Sequence, residues 1–225
     1  MAKKDHIRIG RHRIGHFRFF LATIVLIMVL RPFVEGYARM GFLTDIFFAL
    51  MLLSGAYAFS RQKKEFLVAL AIALPGVLLE LVSHFITSDS IALTKRIAFA
   101  LFLAYVLAII LSRIFREKEV TEDLITGAVC VYLLLGMVWA FAFYFLELAG
   151  EGCFSVAATS RDDVGSFLYY SFITLTTVGY GDIVPLSSPA RSLAVLEAVT
   201  GQLYLAITIA RLVGIHAARS RFTEE

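Results

Sequence analysis

Tyr169-Tyr170-Ser171-Phe172-Ile173-Thr174-Leu175-Thr176-Thr177-Val178-Gly179-Tyr180-Gly181-Asp182 lies between two long apolar segments, yet it is too short and, at its end, too polar to cross a bilayer. Backbone at membrane depth that is neither helix nor closed barrel is tolerated only where protein buries it or water lines it. The stretch is therefore expected to dip into the membrane and return, lining a pore. Gly179 and Gly181 can take positive φ without a Cβ penalty, so the handedness can alternate and successive carbonyls can turn to one axis. Such a row replaces the hydration shell of an ion. Between the glycines Val178 is stiff, Tyr180 is expected to point away from the axis and brace against Tyr169 and Tyr170, and Thr177 adds a hydroxyl at the inner mouth.

The surroundings fit a membrane protein. Of 225 residues, 59% are hydrophobic and 17% charged, far from the soluble average. Six apolar stretches are long enough, or nearly so, to cross about 30 Å of hydrocarbon: Phe17 to Phe33, Phe42 to Phe59, Phe66 to Ile86, Ile97 to Ile114, Leu124 to Leu146 and Ala190 to Gly214. Basic clusters precede the first, fill the connections after the second and fourth, and follow the last, which places both termini in the cytoplasm and lets the pore stretch enter from outside. A net charge of +3 concentrated in ends and loops reads as orientation in the lipid bilayer, with no nucleic acid as partner. A competing reading of the N-terminal arm is a signal peptide ending near Gly36-Tyr37-Ala38. Cys130 and Cys153 have no metal-site spacing, and a disulfide at Cys153 stays open. No catalytic constellation appears, so the chain is not expected to be an enzyme, and no cofactor is expected.

Thr177-Val178-Gly179-Tyr180-Gly181-Asp182 resembles the potassium-channel signature, whose backbone carbonyls form a selectivity filter. The resemblance is to the type with six transmembrane helices and one pore loop per subunit. It implies an all-α membrane protein with a re-entrant pore helix and filter between helices five and six. It also implies a plasma-membrane location (the inner membrane in a bacterium) and passive, multi-ion conduction of K+. One filter strand presents one row of oxygens, so closure requires three further copies of the chain in a fourfold homotetramer. Thr177, Val178, Gly179 and Tyr180 would hold the ion, with Thr176, Gly181, Asp182, Tyr169 and Tyr170 in support. Ile173 stands where some short bacterial members carry a glutamate that binds the filter aspartate, so an aromatic hydroxyl, from Tyr169 or Tyr170, is expected to reach Asp182 instead. The resemblance leaves open a weakly selective cation channel and a non-conducting modulatory subunit.

The organisation expected is a basic arm (1–16), a peripheral four-helix domain (17–115), a pore domain (119–215) and a short tail (216–225), with no nucleotide- or calcium-binding gating domain. Within the pore domain Thr121 caps the outer helix, Glu147, Glu151, Asp162 and Asp163 make an acidic turret, and Trp139 and Tyr144 form an interfacial belt. The pore helix is expected over Ser166 to Thr176, capped by Asp163 or Ser166, and the inner helix is expected to start with Ser188 as cap and Pro189 first. Gly201 serves as a hinge or as a close-packing point, and Glu197 either bonds behind the filter or ties two helices. Ile209 and Val213, on one face with Gln202 and Leu205, form an apolar gate or pack on the outer helix. The fourth helix has Lys95-Arg96 at one end, Arg113 at the other and no charge from Ile97 to Leu111, too few charges for steep voltage gating. Glu80 and His84 share a face at a depth near Lys95 and Arg96, a candidate sensor group.

Overall fold

The computed structural model describes residues 16–35, 41–58, 63–85, 88–117, 119–150, 152–155 and 164–221. Among them the chain is helical almost throughout: α1 (His16–Glu35), α2 (Gly41–Ala58), α3 (Lys63–Phe85), α4 (Asp89–Arg116), α5 (Glu122–Gly150), α6 (Val164–Leu175) and α7 (Ser188–Arg221). Among the described residues three segments are long and apolar enough to cross a membrane: Ser90–Arg116, Glu122–Gly150 and Ser188–Ile215. Shorter apolar helical stretches occupy Phe17–Leu30, Phe48–Ala58 and Val164–Leu175. At 1.5 Å per residue α6 is about 18 Å long, well short of a hydrocarbon core of about 30 Å.

Helix boundaries follow their capping chemistry. Thr121 Oγ1 accepts the Leu124 N–H at 3.1 Å, and Glu122 and Asp123 stand in the first turn where the dipole favours acids. The cap of α7 is Ser187 rather than Ser188: its hydroxyl accepts the Ala190 N–H at 3.3 Å, which places Pro189 one position deeper than expected. α6, the helix expected to line the pore, likewise starts earlier, at Val164, so Ser166 lies inside its first turn and is not the cap; Asp163 lies outside the described residues. α3 runs unbroken through Pro75. α7 continues to Arg221, so residues 216–221 extend the inner helix and are not a separate tail.

α1 packs on α2 and α5, α2 on α3, α3 on α4, and α4 on α5; α6 sits against both α5 and α7. Phe20, Ile24, Met51, Leu52, Phe102 and Leu103 fill the peripheral core. Arg18 pairs with Glu122, and Cys130 Sγ lies 3.7 Å from the Phe17 carbonyl, tying α1 to the outer helix. The end of α4 is held from the opposite side. Arg211 of α7 donates to the carbonyls of Ile114, Phe115 and Glu117 at 3.1, 2.8 and 2.9 Å, supplying partners that a helix C-terminus lacks.

Candidate functional site

The segment after α6 hangs from the last turn of that helix. Thr177 N–H donates to the Thr174 carbonyl at 2.9 Å and Gly179 N–H to the Ile173 carbonyl at 3.1 Å. Thr177, Gly179 and Gly181 have φ of 62°, 52° and 82°, while Val178 and Tyr180 between them stay out of that region. The backbone thus alternates in handedness at every second residue. The glycines adopt this conformation freely, but a β-branched threonine there is a strained outlier of the kind that clusters at functional sites. Residues 176–182 are exposed on the single chain. Tyr180 is 73% exposed, so it does not gain its burial from Tyr169 and Tyr170 of the same chain as expected.

The outer end of this ribbon is fastened on both sides. Tyr169 hydroxyl donates to Asp182 Oδ2 at 2.7 Å, and Ile183 N–H donates to Oδ1 at 3.1 Å. Of the two tyrosines considered, Tyr169 reaches the aspartate. Tyr170 turns inward and packs edge-on against Phe143 and Phe154 at 5.0 and 5.2 Å. The hydrogen bond from Tyr169 is the main force holding the Asp182 carboxyl below its ordinary value, and the same bond pushes the Tyr169 phenol up to about 12. The pair's contribution is fully present between the usual aspartate and phenol ranges, fails as pH falls through the depressed Asp182 value, and is lost in base as pH rises from the usual phenol range through about 12. Accordingly, the fastening of the ribbon at Asp182 is expected to be insensitive to pH from mildly acid to mildly alkaline solution. Tyr169→Phe is expected to let the Asp182 carboxyl rise toward its ordinary value, followed by titration of that carboxyl; an unchanged titration would remove the bond from the account.

Beyond Asp182 the chain pairs with a short strap, residues 152–155. Ser155 and Val184 exchange two bonds, from Ser155 N–H to the Val184 carbonyl (3.0 Å) and from Val184 N–H to Ser155 Oγ (2.8 Å). Leu186 N–H reaches the Cys153 carbonyl at 2.8 Å, and Phe154 faces Pro185 as an antiparallel pair. Glu147, expected as a solvated acid of the mouth, is buried in the last turn of α5; its two oxygens accept the N–H groups of Gly152 and Phe154 at 2.8 and 3.0 Å. A carboxylate reading two backbone donors anchors the strap better than water would. Cys153 is buried as a free thiol, as is Cys130. Glu151, Asp162 and Asp163 lie outside the described residues. Tyr144 and Phe143 are core residues here, not an interfacial belt, and Trp139 stacks on Phe143 at 5.9 Å.

Behind the ribbon, Gly201 meets the end of α6. A Cβ on it would stand 2.6 Å from Leu175 Cδ1 and 2.9 Å from the Leu175 carbonyl oxygen, so the structure favours close packing among the two roles considered. Glu197 is fully buried and bonds Ser171 of α6, whose hydroxyl is also 2.6 Å from the Gly136 carbonyl of α5. Ile209 and Val213 are 59% and 61% exposed, with Gln202 beside them, so that face of α7 does not pack on α5. The opposite face does, through Tyr204, whose hydroxyl donates to the Ala128 carbonyl at 2.7 Å. Arg96 on α4 bonds the Tyr144 hydroxyl and lies 5.0 Å from its ring centre. Lys95 is half-buried beside it; the side chains of Glu80 and His84 lie outside the described residues, and so does their pairing.

Sequence reasoning passed over Ser171, Glu147 as an anchor, the 152–155 strap and Arg211. Ser171 offered one weak signal, a lone hydroxyl on the buried side of an apolar helix; its partners are 35 and 26 residues away and share no motif with it.

Comparison with known proteins bears on the same half of the chain. Residues 128–216 match the family model described as "Ion channel". A two-pore potassium channel of Oryza sativa subsp. japonica is 31% identical over 101 residues, covering 44% of this chain and 26% of that protein. The chain thus spans about a quarter of the length of the curated relative it matches. No solved structure matches. Both matches are to channels, not to an enzyme: residues 128–216, which include the ribbon, are similar to an ion-channel family, and 101 residues of the chain are similar to part of a potassium channel.

Proposed function

We propose that the chain is one subunit of a potassium-selective channel of the type with six transmembrane helices, in which four copies surround a filter lined by the backbone oxygens of Thr177, Val178, Gly179 and Tyr180 and the Thr177 hydroxyl. The observation that carries this reading is the alternation of φ at Thr177, Gly179 and Gly181 in an exposed ribbon, because only alternating handedness lets successive carbonyls face one axis. α6 enters from outside and stops short of crossing, and the negative end of its dipole, about half a charge, faces the cavity where a cation rests. Exposed apolar residues on the ribbon and on α7, Val178, Tyr180, Val199 and Leu203 among them, suit contact with neighbouring copies. Conduction is passive and multi-ion, with K+ displaced from site to site. Gating is not steeply voltage-dependent, since α4 carries no charge between Arg96 and Arg113. The assembly sits in the plasma membrane with both termini cytoplasmic.

The test is rubidium uptake into liposomes holding the purified chain alone, followed by a bi-ionic reversal potential. Uptake and a reversal potential far from zero for K+ against Na+ are expected. A potential near zero makes it a weakly selective cation channel; no uptake by a well-assembled tetramer makes it a modulatory subunit.

A further inference from the structure

Ser171 stands in the middle of α6, fully buried, with two oxygens within reach of its hydroxyl. One is the Gly136 carbonyl of α5 at 2.6 Å; the other is Glu197 Oε1 of α7. A carbonyl can only accept, and a serine hydroxyl has one hydrogen to give. If that hydrogen serves Gly136, the hydrogen between Ser171 and Glu197 must come from the carboxyl. Glu197 Oε2 is buried without a hydrogen-bond partner among the described residues, an arrangement far less costly for a neutral acid than for a carboxylate.

We propose that Glu197, in its acid form, donates to Ser171, which donates to Gly136, and that this directed relay is a positioning device for the filter. The inference rests on the channel reading above. Other contacts of α6 nearby include Phe172 against Gly136, Leu175 against Gly201 and Tyr170 packed on Phe143, together with a long 3.5 Å bond from Tyr132 to the Leu175 carbonyl. Apolar contacts resist compression but resist sliding weakly; a two-step hydrogen-bond relay is directional and sets the height of α6 between α5 and α7. The ribbon hangs from the Ile173 and Thr174 carbonyls, two and three residues past Ser171, so any slip of α6 moves the filter oxygens with it.

The experiment compares Glu197→Gln, Glu197→Asp, Ser171→Ala and the double variant Ser171→Ala/Glu197→Asp in liposomes, each first verified as a tetramer. Glutamine keeps the reach and an N–H donor, so Glu197→Gln is expected to retain wild-type selectivity and duration of conduction. Aspartate is too short, and Ser171→Ala removes the middle of the relay; each is expected to lower the K+ over Na+ permeability ratio about tenfold, the equivalent of one ordinary hydrogen bond, and the double variant no further. An infrared band of a protonated carboxyl should be lost in Glu197→Gln. Should Glu197→Asp fail to assemble, Ser171→Ala carries the comparison. Selective conduction by wild type with Asp indistinguishable from Gln, or a missing infrared band, overturns this inference alone. A wild type without selective flux overturns the channel reading, and this inference with it.

Discussion

Gly179→Ala is expected to abolish rubidium flux while leaving the tetramer assembled. A Cβ at this position would meet nothing within 4 Å in its own chain, so loss of function cannot be assigned to crowding there. The constraint is the backbone, held at a φ of 52°. An L-residue in the left-handed region costs roughly 1–2 kcal/mol, and in the proposed fourfold ring that cost falls in every subunit. The cheaper outcome is for the peptide plane to flip, which in that proposal turns one ring of oxygens away from the ions. D-alanine introduced at 179 by semisynthesis favours positive φ and is expected to restore flux. L-alanine conducting as well as wild type would show that alternating handedness is not what the pore uses.

Gly201→Ala is expected to disrupt the site from behind. The new methyl would press on Leu175 Cδ1 at 2.6 Å, which a side chain can relieve, and on the Leu175 carbonyl oxygen at 2.9 Å, which only movement of the α6 terminus can relieve. Alanine favours the helix by about 1 kcal/mol over glycine, whereas overpacking costs about 1–3 kcal/mol. The net effect is therefore destabilising, read as a lower tetramer melting temperature together with a flux loss of at least about tenfold. Adding Leu175→Ala should rescue only part of it, since the oxygen remains. A pure hinge behaves differently: Gly201→Ala would then melt at or above wild type and change only the opening behaviour.

Both predictions concern glycines that were visible in the sequence, but only one of them was legible there. Gly179 sits in an alternating pattern whose meaning is local, because φ belongs to a single residue. Gly201 sits in an ordinary helix, where hinge and close approach look the same until α6 is docked. The same division holds elsewhere. Tyr169 and Tyr170 are neighbours of identical chemistry, and the rotation of α6 decides that Tyr169 meets Asp182 while Tyr170 enters the aromatic core. Glu147 reads as a surface acid by type and position, yet the chain folds back within seven residues to bring two N–H groups onto it.

By itself the sequence determined the apolar segments, the Thr121 cap and first-turn acids of α5, the ribbon's need for positive φ at Gly179 and Gly181, and the resemblance to a potassium-channel filter. These are one-dimensional properties: hydropathy summed over a window, and backbone freedom residue by residue. Tertiary structure alone decided how α6 is seated: Gly136 and Gly201 allow it to approach closely, Ser171 and Glu197 join it to α5 and α7, the 152–155 strap holds the chain beyond Asp182, and Arg211 ties α7 to the end of α4. The physical reason is range. A hydrogen bond or a van der Waals contact acts over a few ångströms between residues that can lie 96 positions apart in the chain, and nothing in either residue's neighbourhood records the partner it will meet.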